Sequence, residues 1–84
     1  MRLDKYLKVS RIIKRRTMAN EVCAAGRVSI NGKQAKPGSE VKTGDIVEIG
    51  FGNGTTRIKV LKLQETVRKE EAADLYELLE SAGK

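Results

Sequence analysis

Thr17-Met18-Ala19-Asn20-Glu21-Val22-Cys23-Ala24-Ala25-Gly26-Arg27-Val28-Ser29-Ile30-Asn31-Gly32 is where the chain changes its period. Up to Ala25 the apolar positions Met18, Val22 and Ala25 follow i, i+4 and i+7, with Thr17 as a good N-cap residue, so the spacing predicts a helix. Gly26 stands where a left-handed residue closes such a helix. Beyond it Val28 and Ile30 alternate with Arg27 and Ser29, and Asn31-Gly32 is a strong two-residue hairpin turn. A helix that gives way at once to a hairpin points to an α+β domain.

The text on either side extends this pattern. Upstream, Leu3 and Leu7 with Tyr6 beside them make residues 3 to 9 a short helix that Ser10 ends. Ile12 and Ile13 then dip into the core, which leaves Arg11, Lys14 and Arg15, at i, i+3 and i+4, projecting on one side. Downstream, Pro37-Gly38 marks a loop, Gly44-Asp45 a tight turn and residues 46–49 a strand, and Asn53-Gly54 offers a second hairpin into a strand over 56–63. From about Thr66 the spacing is helical again, with Ala72, Leu75, Leu79 and Ala82 on one face, which can pack on the chain's own sheet or on a partner. The expected fold is α+β: two N-terminal helices packed on a small twisted, mostly antiparallel sheet, with a short C-terminal helix. Residues 1–63 form the domain and 64–84 an acidic helical tail.

Charge is unevenly placed. The net charge is +6 from 17 basic and 11 acidic residues, but residues 1–42 alone carry eleven basic against three acidic residues, or +8. The remaining half is at −2, from six basic and eight acidic residues. A basic front and an acidic tail suggest that the first half meets a polyanion while the tail stays off it. Eighty-four residues allow one domain and leave no room for a separate catalytic unit.

Composition narrows the chemistry. With no histidine there is no plausible zinc set, and Cys23 has no second cysteine to pair with, so neither a metal nor a cofactor is expected. Cys23, between Val22 and Ala24, reads as a small buried hydrophobe in a reducing compartment. No nucleophile stands beside a base, so the chain is not expected to be an enzyme. No stretch approaches the roughly 20 apolar residues of a membrane span, and the amino terminus lacks a leader-like apolar run, which leads to the expectation of a soluble, cytoplasmic protein. Aromatic platforms are nearly missing, so structured RNA fits better than extended single strands. Duplex DNA and acidic membrane are rival polyanions, weakened for membrane because the cations do not lie on a long amphipathic helix.

The ordered set Arg2-Leu3-Asp4-Lys5-Tyr6-Leu7, then Arg15-Arg16-Thr17-Met18-Ala19, then 26–32, then Lys36-Pro37, then Val41 with Gly44-Asp45-Ile46-Val47 resembles the RNA-binding domain named after small-subunit ribosomal protein four, the S-four domain. The resemblance spans about residues 1 to 49 and implies an αL-type RNA-binding motif. Over its whole length the chain is similar to the small stand-alone members, the fifteen-kilodalton heat-shock group and, closer in length and in its short tail, the RqcP-like ribosome-quality-control group. That likeness implies a ribosome-associated protein, monomeric away from the ribosome. Its implied partners are the large ribosomal subunit with its 23S rRNA and a stranded peptidyl-tRNA, and it would support template-free alanine tailing beside an RqcH-type factor. A general recycling factor for free large subunits with a nascent chain, or an adaptor for another translation factor, are the alternatives.

Arg16 is the leading contact candidate, since it sits just before the expected helix start, where an anion is favoured; Arg15 and Lys14 flank it. Two readings of Arg16 stand together: contact with phosphate and an ion pair with Asp4, whose carboxylate would brace the arginine fork. Asp4 and Thr17 are therefore structural candidates. The family's binding surface also maps onto Arg2, Lys5, Arg11, Asn20, Arg27, Asn31 and Lys33. For Lys5 and Lys33 solvation is as good a reading as contact, Asn20 is equally open, and Asn31 is a turn residue first. The 11–16 side would serve one RNA, and Arg2 with 27–33 the other.

Overall fold

A computed structural model of the chain describes residues 1–51 and 54–82. Its elements run α1 (Leu3–Val9), α2 (Arg16–Ala24), β1 (Val28–Ile30), β2 (Lys33–Gln34), β3 (Ile46–Phe51), β4 (Gly54–Val60), a 3-10 helix (Lys69–Leu75) and β5 (Tyr76–Ala82). The strands form one antiparallel sheet in the order β2-β1-β3-β4-β5. The expected α+β architecture, with two N-terminal helices and an antiparallel sheet, is what the chain adopts.

Helix α1 has the boundaries that its Leu3, Tyr6 and Leu7 spacing predicts, and all three side chains are fully buried. No side chain caps its start. Instead the Leu3 and Asp4 amides donate to the carbonyls of Ser39 and Pro37, at 2.8 and 3.2 Å, so the 37–39 loop satisfies amides that the helix itself leaves open. The Val41 amide donates to the Met1 carbonyl at 2.9 Å, and Arg2 forms an isolated bridge with Glu40. The first four residues are thereby fixed against the loop before β3.

Between the helices the chain is not helical. Arg11 takes a left-handed φ of 63°, and the Ile13 amide donates to the Leu7 carbonyl at 3.1 Å. Ile13 is drawn into the core, as expected, and Ile12 is half-buried. The helical i, i+3, i+4 alignment expected of Arg11, Lys14 and Arg15 is therefore not the geometry of this segment. Helix α2 begins two residues earlier than read: Arg15 is its N-cap and Thr17 lies inside it, with no side-chain cap bond. Burial of Ile13 and Ala19 on either side sets where the chain turns, and this outweighs a cap preference worth about 1 kcal/mol. The buried face also differs from the Met18, Val22 and Ala25 stripe, although Cys23 is buried as expected. Ala19 and Cys23 face the core, Val22 is half-buried, and Met18 and Ala25 are exposed. The large side chains of α1 fill the space between the helices, so α2 packs with its small ones.

Gly26 follows α2 with φ 79°, as read. Asn31 and Gly32, at φ 52° and 84°, make the primed turn between β1 and β2. Strands β3 and β4 pair from Ile46↔Lys59 to Phe51↔Gly54; Asn53 of the predicted hairpin lies outside the described residues. Strand β4 stops at Val60, short of the predicted 63, because the Leu61 and Lys62 amides turn to the Leu75 carbonyl at 2.8 and 3.2 Å.

The tail departs most from expectation. Its helical part is limited to the 3-10 helix Lys69–Leu75, where Ala72 and Leu75 are buried. Tyr76–Ala82, read as the rest of a helix with Leu79 and Ala82 on its apolar face, is instead strand β5, paired along β4. Glu, Leu and Ala favour helix weakly, at a few tenths of a kcal/mol each, whereas β4 offers a row of backbone groups that need partners. A register shift at Arg57/Ile58 accommodates the extra Leu79. The Tyr6 hydroxyl donates to the Leu75 carbonyl at 2.8 Å, tying α1 to the start of β5. Burial, and the nearby Tyr76, push the Tyr6 hydroxyl above its ordinary pKa, so it remains a donor.

Candidate nucleic-acid interface

Asp4 is the centre of the site. Its side chain is only 3% exposed, although it is a carboxylate on a helix of a small domain. Charged groups are rarely buried to that degree unless paired, and this one has three partners. Arg2 donates from Nε and Nη2 at 3.2 and 3.3 Å, Arg16 from Nη2 at 3.4 Å, and Asn20 from Nδ2 at 3.3 Å. The three come from two parts of the chain: Arg2 from the segment pinned by 39–41, and Arg16 and Asn20 from successive turns of α2. Only the packing of α2 on α1 brings them to one carboxylate.

The electrostatics follow from that arrangement. Burial alone would raise the Asp4 pKa, but the Asn20 hydrogen bond and the charges of Arg16 and Arg2 outweigh it and hold the carboxyl below its ordinary value. Asp4 is thus a fixed anion. Arg2 and Arg16 give it part of their donor fork while their side chains stay 56% and 47% exposed, so each keeps N–H groups facing solvent. Two guanidinium groups held at one carboxylate, with their remaining N–H groups in solvent, present planar donor forks of the kind that matches phosphate geometry. The first turn of α2 adds open backbone amides beside them.

Both readings of Arg16 are therefore compatible: it pairs with Asp4 and remains half in solvent. Arg2 meets Arg16 at the same carboxylate, so it joins the 11–16 side and not the hairpin side to which the sequence assigned it. Asn20 is committed through its amide to Asp4. Lys5 is bonded to Glu65, whose carboxyl it lowers below the ordinary range. Asn31 is a structural residue. Its Nδ2 donates to Asp45 at 3.1 Å, its Oδ1 accepts from the Ile46 amide at 2.9 Å, and its own amide donates to the Ile46 carbonyl at 2.7 Å. Arg11, Lys14, Arg15, Arg27 and Lys33 are exposed or nearly so and enter no ion pair among the described residues. Thr17 contributes no brace.

The sequence reading passed over Lys8, an exposed cation in the last turn of α1 that lines a small cavity with Arg11 and Glu65. Its signal was its spacing, three residues from both Lys5 and Arg11. It also missed the part played by the 37–39 carbonyls, for which no residue type is diagnostic. Cys23 is buried behind the site; burial, then the charge of Asp4, push its thiol up to about 11.

A family model described as the S4 domain matches residues 1–47, the stretch that carries α1, α2, the Asp4 cluster and the β1–β2 hairpin. The chain belongs to the S4 domain family. It is 56% identical over 78 residues to the RQC P-site tRNA stabilizing factor of Halalkalibacterium halodurans, covering 93% of this chain and 89% of that protein. To the protein of the same name from Bacillus subtilis it is 56% identical over 79 residues, covering 94% and 92%. Among solved structures it is similar to the trimeric structure of Vibrio cholerae Heat Shock Protein 15, with a TM-score of 0.86, 32% identity and coverage of 94% of this chain and 81% of that one. Both stand-alone groups to which the sequence was likened are therefore represented among the relatives of this S4 domain protein, and the similarity continues past residue 47 into β4 and β5.

Proposed function

We propose that this S4 domain protein is a non-catalytic RNA-binding factor that steadies a tRNA on the large ribosomal subunit during ribosome-associated quality control. The observation that carries the reading is the Asp4 cluster: a buried carboxylate that fixes Arg2 and Arg16 in place and leaves both half in solvent. An arginine ordered before binding loses less freedom when phosphate arrives. The relatives named as P-site tRNA stabilizing factors direct the choice of RNA. A-form RNA offers a protein this small its phosphates and its shallow groove, so shape is read more than base edges.

In this reading the Arg2–Arg16 pair, with Arg11, Lys14 and Arg15, serves one RNA, and Arg27 and Lys33 around the β1–β2 hairpin serve another. The two RNAs are 23S rRNA and peptidyl-tRNA, on a subunit that supports alanine tailing with an RqcH-type factor. Five phosphate contacts give a slope of log affinity on log salt of roughly −4. The test is co-sedimentation of wild type and Arg16→Ala with free large subunits and with subunits carrying peptidyl-tRNA, at two salt concentrations. Preference for the loaded particle, lost in the variant, is the expected result. Equal binding to both particles would remove the tRNA-stabilising role and leave a general large-subunit binder.

A further inference from the structure

Met18 is 51% exposed on a helix whose buried face is Ala19 and Cys23. Beside it lie Ile12, half-buried, and Ile13, buried; with Lys14 and Arg15 these residues line a shallow cavity of about 280 Å³. The floor is aliphatic and the fence is cationic. None of the five lining residues is acidic, and neither Lys14 nor Arg15 enters an ion pair among the described residues. The cavity is held open by backbone geometry, since the left-handed Arg11 and the Ile13–Leu7 bond keep the 11–15 segment from continuing α1 across it. It also lies within one turn of Arg16, at the edge of the phosphate-gripping surface.

A flat, largely apolar surface with a negative charge on either side is the chemistry of a nucleobase and its flanking phosphates. We propose that this cavity receives one unstacked nucleobase of the bound RNA, its face on Met18 and Ile12 and its neighbouring phosphates on Lys14 and Arg15. The proposal rests on the RNA-binding reading above and adds a base contact to what is otherwise recognition of backbone and shape. Charge decides the occupant. A second copy of this chain carries +6 and would bring like charge to the two cations, whereas RNA neutralises them. With so few aromatic residues in the chain, the base rests on aliphatic side chains, a weaker platform than a ring but equally tolerant of base identity.

The test uses full-length protein with large subunits carrying tRNA. Met18 is exposed and outside the core, so Met18→Ser keeps the fold, which circular dichroism verifies. Removing an apolar contact lowers affinity by about fivefold at every salt concentration and leaves the salt slope unchanged. Lys14→Ala instead flattens the slope by about 1. Ultraviolet crosslinking, followed by nuclease and trypsin, is expected to leave a nucleotide on peptide 12–14 or 17–27. Wild-type affinity in Met18→Ser, or crosslinks from these peptides to protein in place of RNA, overturns the base pocket while salt-sensitive binding upholds the RNA reading. Wild-type binding that is absent or insensitive to salt overturns both.

Discussion

Replacing Asp4 with asparagine keeps the volume at the centre of the cluster and removes its charge. Asp4 accepts four hydrogen bonds, and an amide would turn an N–H₂ group towards donors that already point at it. The arginine pairs are half in solvent, so each is worth about 0.5 kcal/mol, and the Asn20 bond adds about 1 kcal/mol, giving a loss of about 2 kcal/mol. For a domain of this size that lowers Tm by about 8–16 °C. The pH dependence carries a sign. Because the folded Asp4 pKa is depressed, its stabilisation is complete above the unfolded value, about 3.9, and is lost as pH falls through the lower folded value. The gap between wild type and Asp4→Asn, measured by thermal unfolding, should be full at pH 7 and close towards pH 2. Binding gives a second, opposed readout. The variant carries one more positive charge, so if net charge alone set affinity it would bind large subunits more tightly. If Asp4 positions Arg2 and Arg16, binding weakens several-fold despite the added charge. Equal stability at pH 7, a gap unchanged at pH 2, or tighter binding would each refute the brace.

Two further outcomes follow from the same geometry. The Cys23 thiol, raised to about 11 by burial and then by Asp4, should react with a thiol reagent at pH 8 only through unfolding; its contribution to stability holds below the unfolded value near 8.5 and is lost as pH rises towards 11, which urea titrations at pH 8 and 10.5 would read. Asn31→Ala loses two side-chain hydrogen bonds and puts alanine at a left-handed φ, for a cost of about 2 kcal/mol in thermal unfolding, while affinity of the folded protein for large subunits stays unchanged, as a turn residue requires.

How far the site was legible can be followed residue by residue. The ion pair with Asp4, one of the two readings that the sequence offers for Arg16, forms. The sequence reading groups Arg2 with the 27–33 side. Nothing in the text says that the chain before α1 is pinned by the 37–41 loop, which is what turns Arg2 towards Asp4. The i, i+4, i+7 spacing puts Met18 on the buried face, whereas the structure buries Ala19 with Cys23 and leaves Met18 exposed. A cap at Thr17 rests on propensity alone, and a preference that small yields to core packing.

Some features needed only local chemistry. The α1 boundaries, the Gly26 stop and the Asn31-Gly32 turn depend on side-chain period and on backbone freedom within a few residues, so the sequence by itself determined them. The charge asymmetry is likewise written in composition. The tail is the opposite case. Residues 76–82 have a helical period, yet they form β5 because β4 presents an unfilled edge and Tyr6 anchors Leu75 beside it, partners some twenty and seventy residues away. The Asp4 cluster is of the same kind, since its four members converge only once α2 lies on α1. Local preferences of a few tenths of a kcal/mol settle turns and helix ends, whereas edge pairing and the burial of a charge involve larger energies that depend on residues distant in sequence.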